Sequence, residues 1–109
     1  MSPLEITTEQ HEGQTLMALV GELDIASAPR FEEGLAEAES DTPGTLILDL
    51  RRVEFIDSTG LRAVIAADER ARSAGRRFVV VRGPAPVERV FSVTQLDQRL
   101  DIVDDPASV

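Results

Sequence analysis

The residues of this chain best suited to chemistry stand together at Asp57-Ser58-Thr59-Gly60, after Leu48-Asp49-Leu50 and Phe55-Ile56 and before Leu61-Arg62. An apolar run precedes them and apolar residues at helical spacing follow, so two adjacent hydroxyls fall between a strand region and the first turn of a helix. Four backbone N–H groups at such a turn lack intrahelical partners and favour an oxygen acceptor or an anion. One use of the pattern is structural: Asp57 or Ser58 caps the helix, which is worth about 1 kcal/mol. If Asp57 caps alone, Ser58 and Thr59 are left free, and Gly60 permits close backbone approach. The site then lies at a strand's carboxyl end, where open α/β sheets bind their partners. A phosphate on Ser58 would meet the helix N-terminus and add about −1.5 to −2 charges, enough to remake a binding surface.

A nucleophilic role for Ser58 is harder to support. The chain has one histidine, His11, in an expected hairpin turn near the N-terminus, and no Gly-x-Ser-x-Gly elbow, so an activating base is difficult to supply. Cysteine is absent, which excludes disulfides, thiolate zinc sites and a cysteine nucleophile, and one histidine cannot make a His-rich metal site. There is no Walker-type phosphate loop. The expectation is a protein without catalytic activity and without a cofactor of its own.

The elements that must hold the Asp-Ser stretch follow from hydrophobic periodicity. Leu4-Glu5-Ile6-Thr7 alternates as an edge strand does, and His11-Glu12-Gly13 reads as a hairpin turn. Leu16 to Val20 is unbroken apolar sequence, predicting a strand buried on both faces and ended by Gly21; Glu22 to Ile25 is a strand or a loop. Ser27 is placed to cap a helix with Pro29 in its early turn, Phe31, Leu35 and Ala38 on one face, and Glu32 and Glu33 near its N-terminus. Asp41-Thr42-Pro43-Gly44 stops that helix. Leu46 to Leu50 predicts a second buried strand, followed by a stretch that points Val53, Phe55 and Ile56 inward. A helix from the Asp-Ser stretch to about Ser73 carries Leu61, Val64 and Ile65 and stops at Gly75, with Arg70, Arg72, Arg76 and Arg77 at its negative end. Phe78 to Val81 is a third buried strand. Val87, Val90 and Phe91 mark a third helix, and Leu100 to Val103 a last edge strand before a solvated acidic tail from Asp101 onward. The order ββ(β)αβαβα(β) calls for a mixed sheet with parallel members and crossover helices, an α/β fold.

At 109 residues, with 42% apolar and 28% charged, the chain is sized for one domain spanning 1–109 with a core of about 4–103. Net charge is −9, and residues 1–50 hold 11 acids against one arginine while residues 51–109 are nearly balanced. This charge opposes binding to nucleic acid or to an anionic membrane surface, and, if the acidic half contributes to an interface, predicts a partner surface that is at least locally basic. No basic leader with an apolar stretch opens the sequence, and no run nears the ~18 apolar residues of a membrane span, so the expected location is the cytoplasm.

Gly21-Glu22-Leu23-Asp24 with Ser27-Ala28-Pro29, then Leu48-Asp49-Leu50 and Phe55-Ile56-Asp57-Ser58-Thr59-Gly60-Leu61, resemble the two signature stretches of the STAS domain, in particular of stand-alone bacterial anti-sigma factor antagonists (anti-anti-sigma factors). The resemblance spans nearly the whole chain and implies a regulator. The unphosphorylated form would bind an anti-sigma factor that is also a serine kinase, releasing the sigma factor. Phosphorylation at the serine matching Ser58 would inactivate it, and a PPM-type serine phosphatase would reverse the step. ATP and magnesium would belong to the kinase. Thr59 is the nearest competing acceptor. The same resemblance assigns Asp24, Ser27, Asp57, Ser58, Thr59, Gly60 and Arg62 to the partner-binding surface. On residue type alone, Asp24 is equally a loop carboxylate satisfying nearby N–H groups, and Arg62 a solvated side chain. Other STAS roles, in a stressosome-like scaffold, a lipid-transport complex or a nucleotide-binding module, are the alternatives.

Overall fold

β2 (Gln14–Leu23) buries every second residue, and β1 (Glu5–His11), whose one apolar residue is the half-buried Ile6, pairs with it as an antiparallel hairpin. Glu12 and Gly13 close it with φ of 49° and 81°, the positive values that a two-residue turn between twisted strands requires. In the computed structural model, which describes residues 3–41 and 44–109, helices then separate the strands. The order is α1 (Ala28–Asp41), β3 (Thr45–Ile56), α2 (Ser58–Ser73), β4 (Arg77–Val81), α3 (Ala85–Val93) and β5 (Asp101–Val103), with short 3₁₀ turns at Leu96–Gln98 and Pro106–Ser108. The expected helix stop at Thr42-Pro43 lies outside the described residues.

The sheet runs β1-β2-β3-β4-β5, with β2 to β5 parallel. Each crossover steps in the same direction, and right-handed connections therefore bring the helices to one face. There Phe31 and Leu35 of α1 and Val64 and Ala67 of α2 pack on Met17, Leu19, Leu48 and Leu50, all at most 1% exposed. Burying each large side chain among these stabilises the fold by about 1.5–3 kcal/mol. α2 ends as the glycine predicted: Gly75 takes φ 70°, its N–H bonds the Arg72 carbonyl at 3.2 Å, and the Arg76 N–H bonds the Ala71 carbonyl at 2.8 Å.

One-sided helix cover corrects the expected two-faced burial of Leu16 to Val20. β2 alternates, with Met17 and Leu19 buried and Leu16, Ala18 and Val20 half-buried. It also continues through Gly21 to Leu23, because Gly21 at φ 119° can pass within the sheet where a Cβ would stand 2.8 Å from the Pro3 carbonyl oxygen. The acidic tail keeps Asp101, Asp104 and Asp105 exposed, as expected, but the chain that carries them does not trail free. It folds back over the uncovered face, where Val109 packs near Ile47, Val79 and Val81, and Asp104 bonds Arg82 at 2.7 Å. Those three buried apolar residues are what the tail covers. Glu32 and Glu33 fall in the second turn of α1, beyond the reach of the helix dipole.

The last correction bears on the site. Phe55 was expected inward with Val53 and Ile56, yet it is 49% exposed. Two register shifts against β2 each give β3 one extra residue, from the pair Ala18 and Asp49 to Val20 and Arg52, and from Gly21 and Val53 to Glu22 and Phe55. Such bulges re-aim side chains. Leu50, Val53 and Ile56 turn to the core at a spacing of three, and Phe55 is turned out.

Candidate functional site

The parallel strands deliver the loops after β2 and β3 to one edge, and Asp57 ties them together. It precedes α2 in an extended conformation, φ −108° and ψ −176°. Its Oδ1 accepts hydrogen bonds from the N–H groups of Thr59 (2.9 Å) and Gly60 (3.0 Å), and its Oδ2 accepts the Ile25 N–H at 3.1 Å. Its own N–H donates to the Leu23 carbonyl at 3.2 Å, and its carbonyl accepts from Leu61 N–H at 2.9 Å. Asp57 is thus the cap, and Ser58 is left as the first helical residue with its side chain exposed. Thr59 is half-buried.

Gly60 is buried, and its close approach is made within the chain: a Cβ there would lie 2.5 Å from the Leu23 carbonyl oxygen and 2.8 Å from Leu23 Cγ. Its part in the site is to let α2 start against β2.

The loop after β2 locks itself. Asp24 Oδ1 accepts the N–H groups of Ala26 and Ser27, both at 3.0 Å, while Ser27 Oγ accepts the Asp24 N–H at 3.0 Å and donates to the Glu22 carbonyl at 2.8 Å. Ser27 therefore does not cap α1 by its side chain, as expected, but holds the loop from within. The N–H of Ala28 instead bonds the Asp24 carbonyl at 2.8 Å. Asp24 and Ser27 sit beside the Asp57-Ser58 turn as the frame of the neighbouring loop.

What this frame presents outward is short. Ser58 is exposed; Arg62, one turn further along α2, is exposed with no ion pair or hydrogen bond to any described residue. Two large apolar side chains join them, Ile25 at 73% exposure and Phe55 at 49%. Neither was picked out from sequence as part of a surface. The signal available for Phe55 was the spacing of Leu50, Val53 and Ile56, which a regular strand cannot bury together.

His11 ends β1 at the opposite end of the hairpin, pairing with Gln14, while Ser58 follows the far end of the neighbouring strands. Nine residues of β2 at about 3.3 Å each separate the two by roughly 30 Å, so His11 cannot activate the Ser58 hydroxyl. Among the described residues no group of three or more acid, His or Cys side chains could hold a metal ion, and no helix is long and apolar enough to cross a membrane.

A strand-to-helix turn with an aspartate cap, a bare serine and a buried glycine, set beside a self-locked Asp-x-x-Ser loop, covers both stretches that carried the resemblance, and a sequence profile of the STAS domain matches residues 5–108. The chain belongs to the STAS domain family. This STAS domain is 34% identical over 80 residues to the anti-sigma-F factor antagonist RsfB of Mycobacterium tuberculosis, a match spanning 73% of this chain and 66% of the relative. It superposes on the crystal structure of an anti-sigma factor antagonist from Mycobacterium paratuberculosis with a TM-score of 0.85 at 28% identity, covering 96% of this chain and 89% of that one. It shares its fold with the Bacillus cell fate determinant SpoIIAA in the phosphorylated form, with a TM-score of 0.72, 18% identity and coverage of 95% and 96%.

Proposed function

We propose that this STAS domain is an anti-sigma factor antagonist controlled at Ser58. Unmodified, it binds an anti-sigma factor that is also a serine kinase and so frees the sigma factor. Phosphorylated at Ser58, it lets the kinase go, and a PPM-type serine phosphatase resets it. The observation that carries this reading is the division of labour at the turn. Asp57 and Gly60 are committed to the chain's own structure, whereas the Ser58 hydroxyl stands exposed at the edge where the loops converge. The names of relatives in the family support the same role.

The partner surface follows from the same edge. Asp24, Ser27 and Asp57 hold its backbone in place, Ser58, Thr59 and Arg62 supply polar groups, and Ile25 and Phe55 supply apolar anchors. Buried apolar anchors within a polar rim are what gives protein interfaces their affinity. A phosphate among them adds charge and bulk where a partner must pack closely. Because the turn is cross-tied through Asp57, the switch acts by local charge and shape without moving α2. A coupling of about 1–3 kcal/mol between the two states changes affinity roughly 5–150-fold.

Incubation with ATP and the candidate anti-sigma kinases of the same organism, followed by mass spectrometry, tests the reading. Label on Ser58 from one partner is the expected result. Ser58→Ala should bind that partner and resist labelling, and Ser58→Asp should bind poorly; equal binding by both variants and the wild type would defeat the switch. Label on Thr59 alone would move the acceptor by one residue.

A further inference from the structure

We propose that Arg62 is the intramolecular partner of a phosphate on Ser58, so that modification of the serine also withdraws the arginine's charge from the surface. The inference rests on Ser58 being the modified residue.

The starting point is how little of the helix N-terminus remains for an anion. Asp57 Oδ1 takes the N–H groups of Thr59 and Gly60, and the Asp57 carbonyl takes that of Leu61. Only the N–H of Ser58 itself is left. The favourable end of the helix is thus already occupied by a carboxylate, and that carboxylate repels a second anion. A phosphoserine carrying about −1.5 to −2 charges beside it needs a cation from elsewhere.

The charged groups near the turn narrow the choice to one. On the loop after β2, Asp24 is an acid turned onto the N–H groups of Ala26 and Ser27. On β3, Glu54 is an acid, and Arg52 lies four residues before Ile56, about 13 Å away at the rise of a strand. On α1, Arg30 lines two depressions, one against Ile6 and Thr8 of β1 and one against Leu4, Glu22, Asp24, Ala26 and Ser27, and no residue of α2 lines either. Arg62 alone stands one helical turn from Ser58. Residues at i and i+4 have Cβ atoms about 5–6 Å apart, and acid before base is the favourable order along a helix. The guanidinium is exposed and has no described partner to give up, and its planar fork matches phosphate oxygens in pairs.

Two changes then accompany one modification. Unmodified, Arg62 is free to meet a carboxylate on the partner. Modified, it is folded onto the phosphate and no longer offered.

The test places phosphoserine at position 58 during translation, with no kinase involved, and follows the phosphate's second ionisation by phosphorus NMR at low salt. With Arg62 present, this ionisation should occur lower by about 0.3 pH unit than in Arg62→Gln, the size expected of one i,i+4 ion pair. Arg62→Lys should fall on the wild-type side. Identical titrations in the wild type and Arg62→Gln overturn the proposal, as does a lysine variant that titrates with glutamine. Since the phosphate is installed without the kinase, this outcome is independent of whether a kinase labels Ser58, and failure of that labelling would defeat only the proposed function.

Discussion

The two ends of the sheet differ in what is left over once their charged groups are paired. At the amino ends of the parallel strands, Arg70 meets Glu39 through two bonds of 2.8 Å, and that hydrogen bonding holds the guanidinium above its ordinary pKa. Arg72 bonds Asp68 at 2.8 Å and the Arg99 carbonyl at 2.6 Å, Arg76 bonds the Glu39 carbonyl at 3.0 Å, and Arg77 bonds Asp101 at 3.1 Å. The arginine cluster so evident in the sequence is spent on closing helix ends and pinning β5. At the carboxyl ends, the acids of the turn and loop are spent in the same way, but Ser58, Arg62, Ile25 and Phe55 are left over. A polar or apolar group with an internal partner has a structural explanation; one without, gathered beside others like it, is where a partner is to be sought.

The largest effect is expected at Gly60, with the glycine at the other end of α2 as its contrast. Gly60→Ala puts a methyl within 3 Å of both the carbonyl and the side chain of Leu23, and should destabilise the fold by about 1–3 kcal/mol, with loss of partner binding as the turn shifts. Gly75→Ala meets nothing within 4 Å and is opposed only by φ 70°, so about 1 kcal/mol is expected and binding should survive. Urea denaturation of both variants measures the difference. Equal losses would mean that the close approach at Gly60 is relieved by movement of the turn.

Asp57→Ala removes three accepted hydrogen bonds, and should cost about 1–2 kcal/mol by the same measurement. It should also loosen the loop after β2, visible as faster amide exchange at Ile25. Protection there unchanged from the wild type would separate the two loops that Asp57 is argued to join.

Much of this was legible beforehand. The helix faces, the Gly75 stop, the hairpin turn and a free serine behind an aspartate cap all follow from local pattern, because each depends on residues within one turn of one another. What escaped depends on chain segments far apart in sequence. The outward turn of Phe55 comes from bulges defined only against β2, the Asp57 bond to Ile25 spans 32 residues, and the tail's return is dictated by a sheet face that no helix covers. The misplacement of Ser27 was a local error of another kind: a hydroxyl before a helix has loop carbonyls as well as helix N–H groups to choose from, and here the loop wins.

Asp49, in the amino half of β3, adds an acid of the sheet itself to the comparison, and it too is fully partnered. Burial would raise its carboxyl pKa, but hydrogen bonds from the Arg51 side chain and N–H, together with the arginine's charge, outweigh this and lower it. A folded-state value below the unfolded one means stability that is complete above the ordinary carboxyl range, about pH 3.9, and lost as pH falls through the folded value. Asp49→Asn should therefore be less stable than the wild type at pH 7, and the gap should narrow as the pH falls below about 4. Urea midpoints at several pH values measure it. A gap independent of pH would assign the loss to packing.

The smallest effect is expected one residue from one of the larger ones. Ser58→Ala removes an exposed hydroxyl that makes no described hydrogen bond, at a first helical position where alanine is well tolerated, so stability should stay within about 0.5 kcal/mol of the wild type. Its neighbour Asp57 holds two loops, whereas Ser58 holds none. That asymmetry is what the proposed switch requires, because a modified residue that also supported the turn would unfold its own site on phosphorylation. If Ser58→Ala lowers the melting temperature as far as Asp57→Ala does, the hydroxyl is structural and the contrast between the two ends of the sheet fails at the residue on which it most depends.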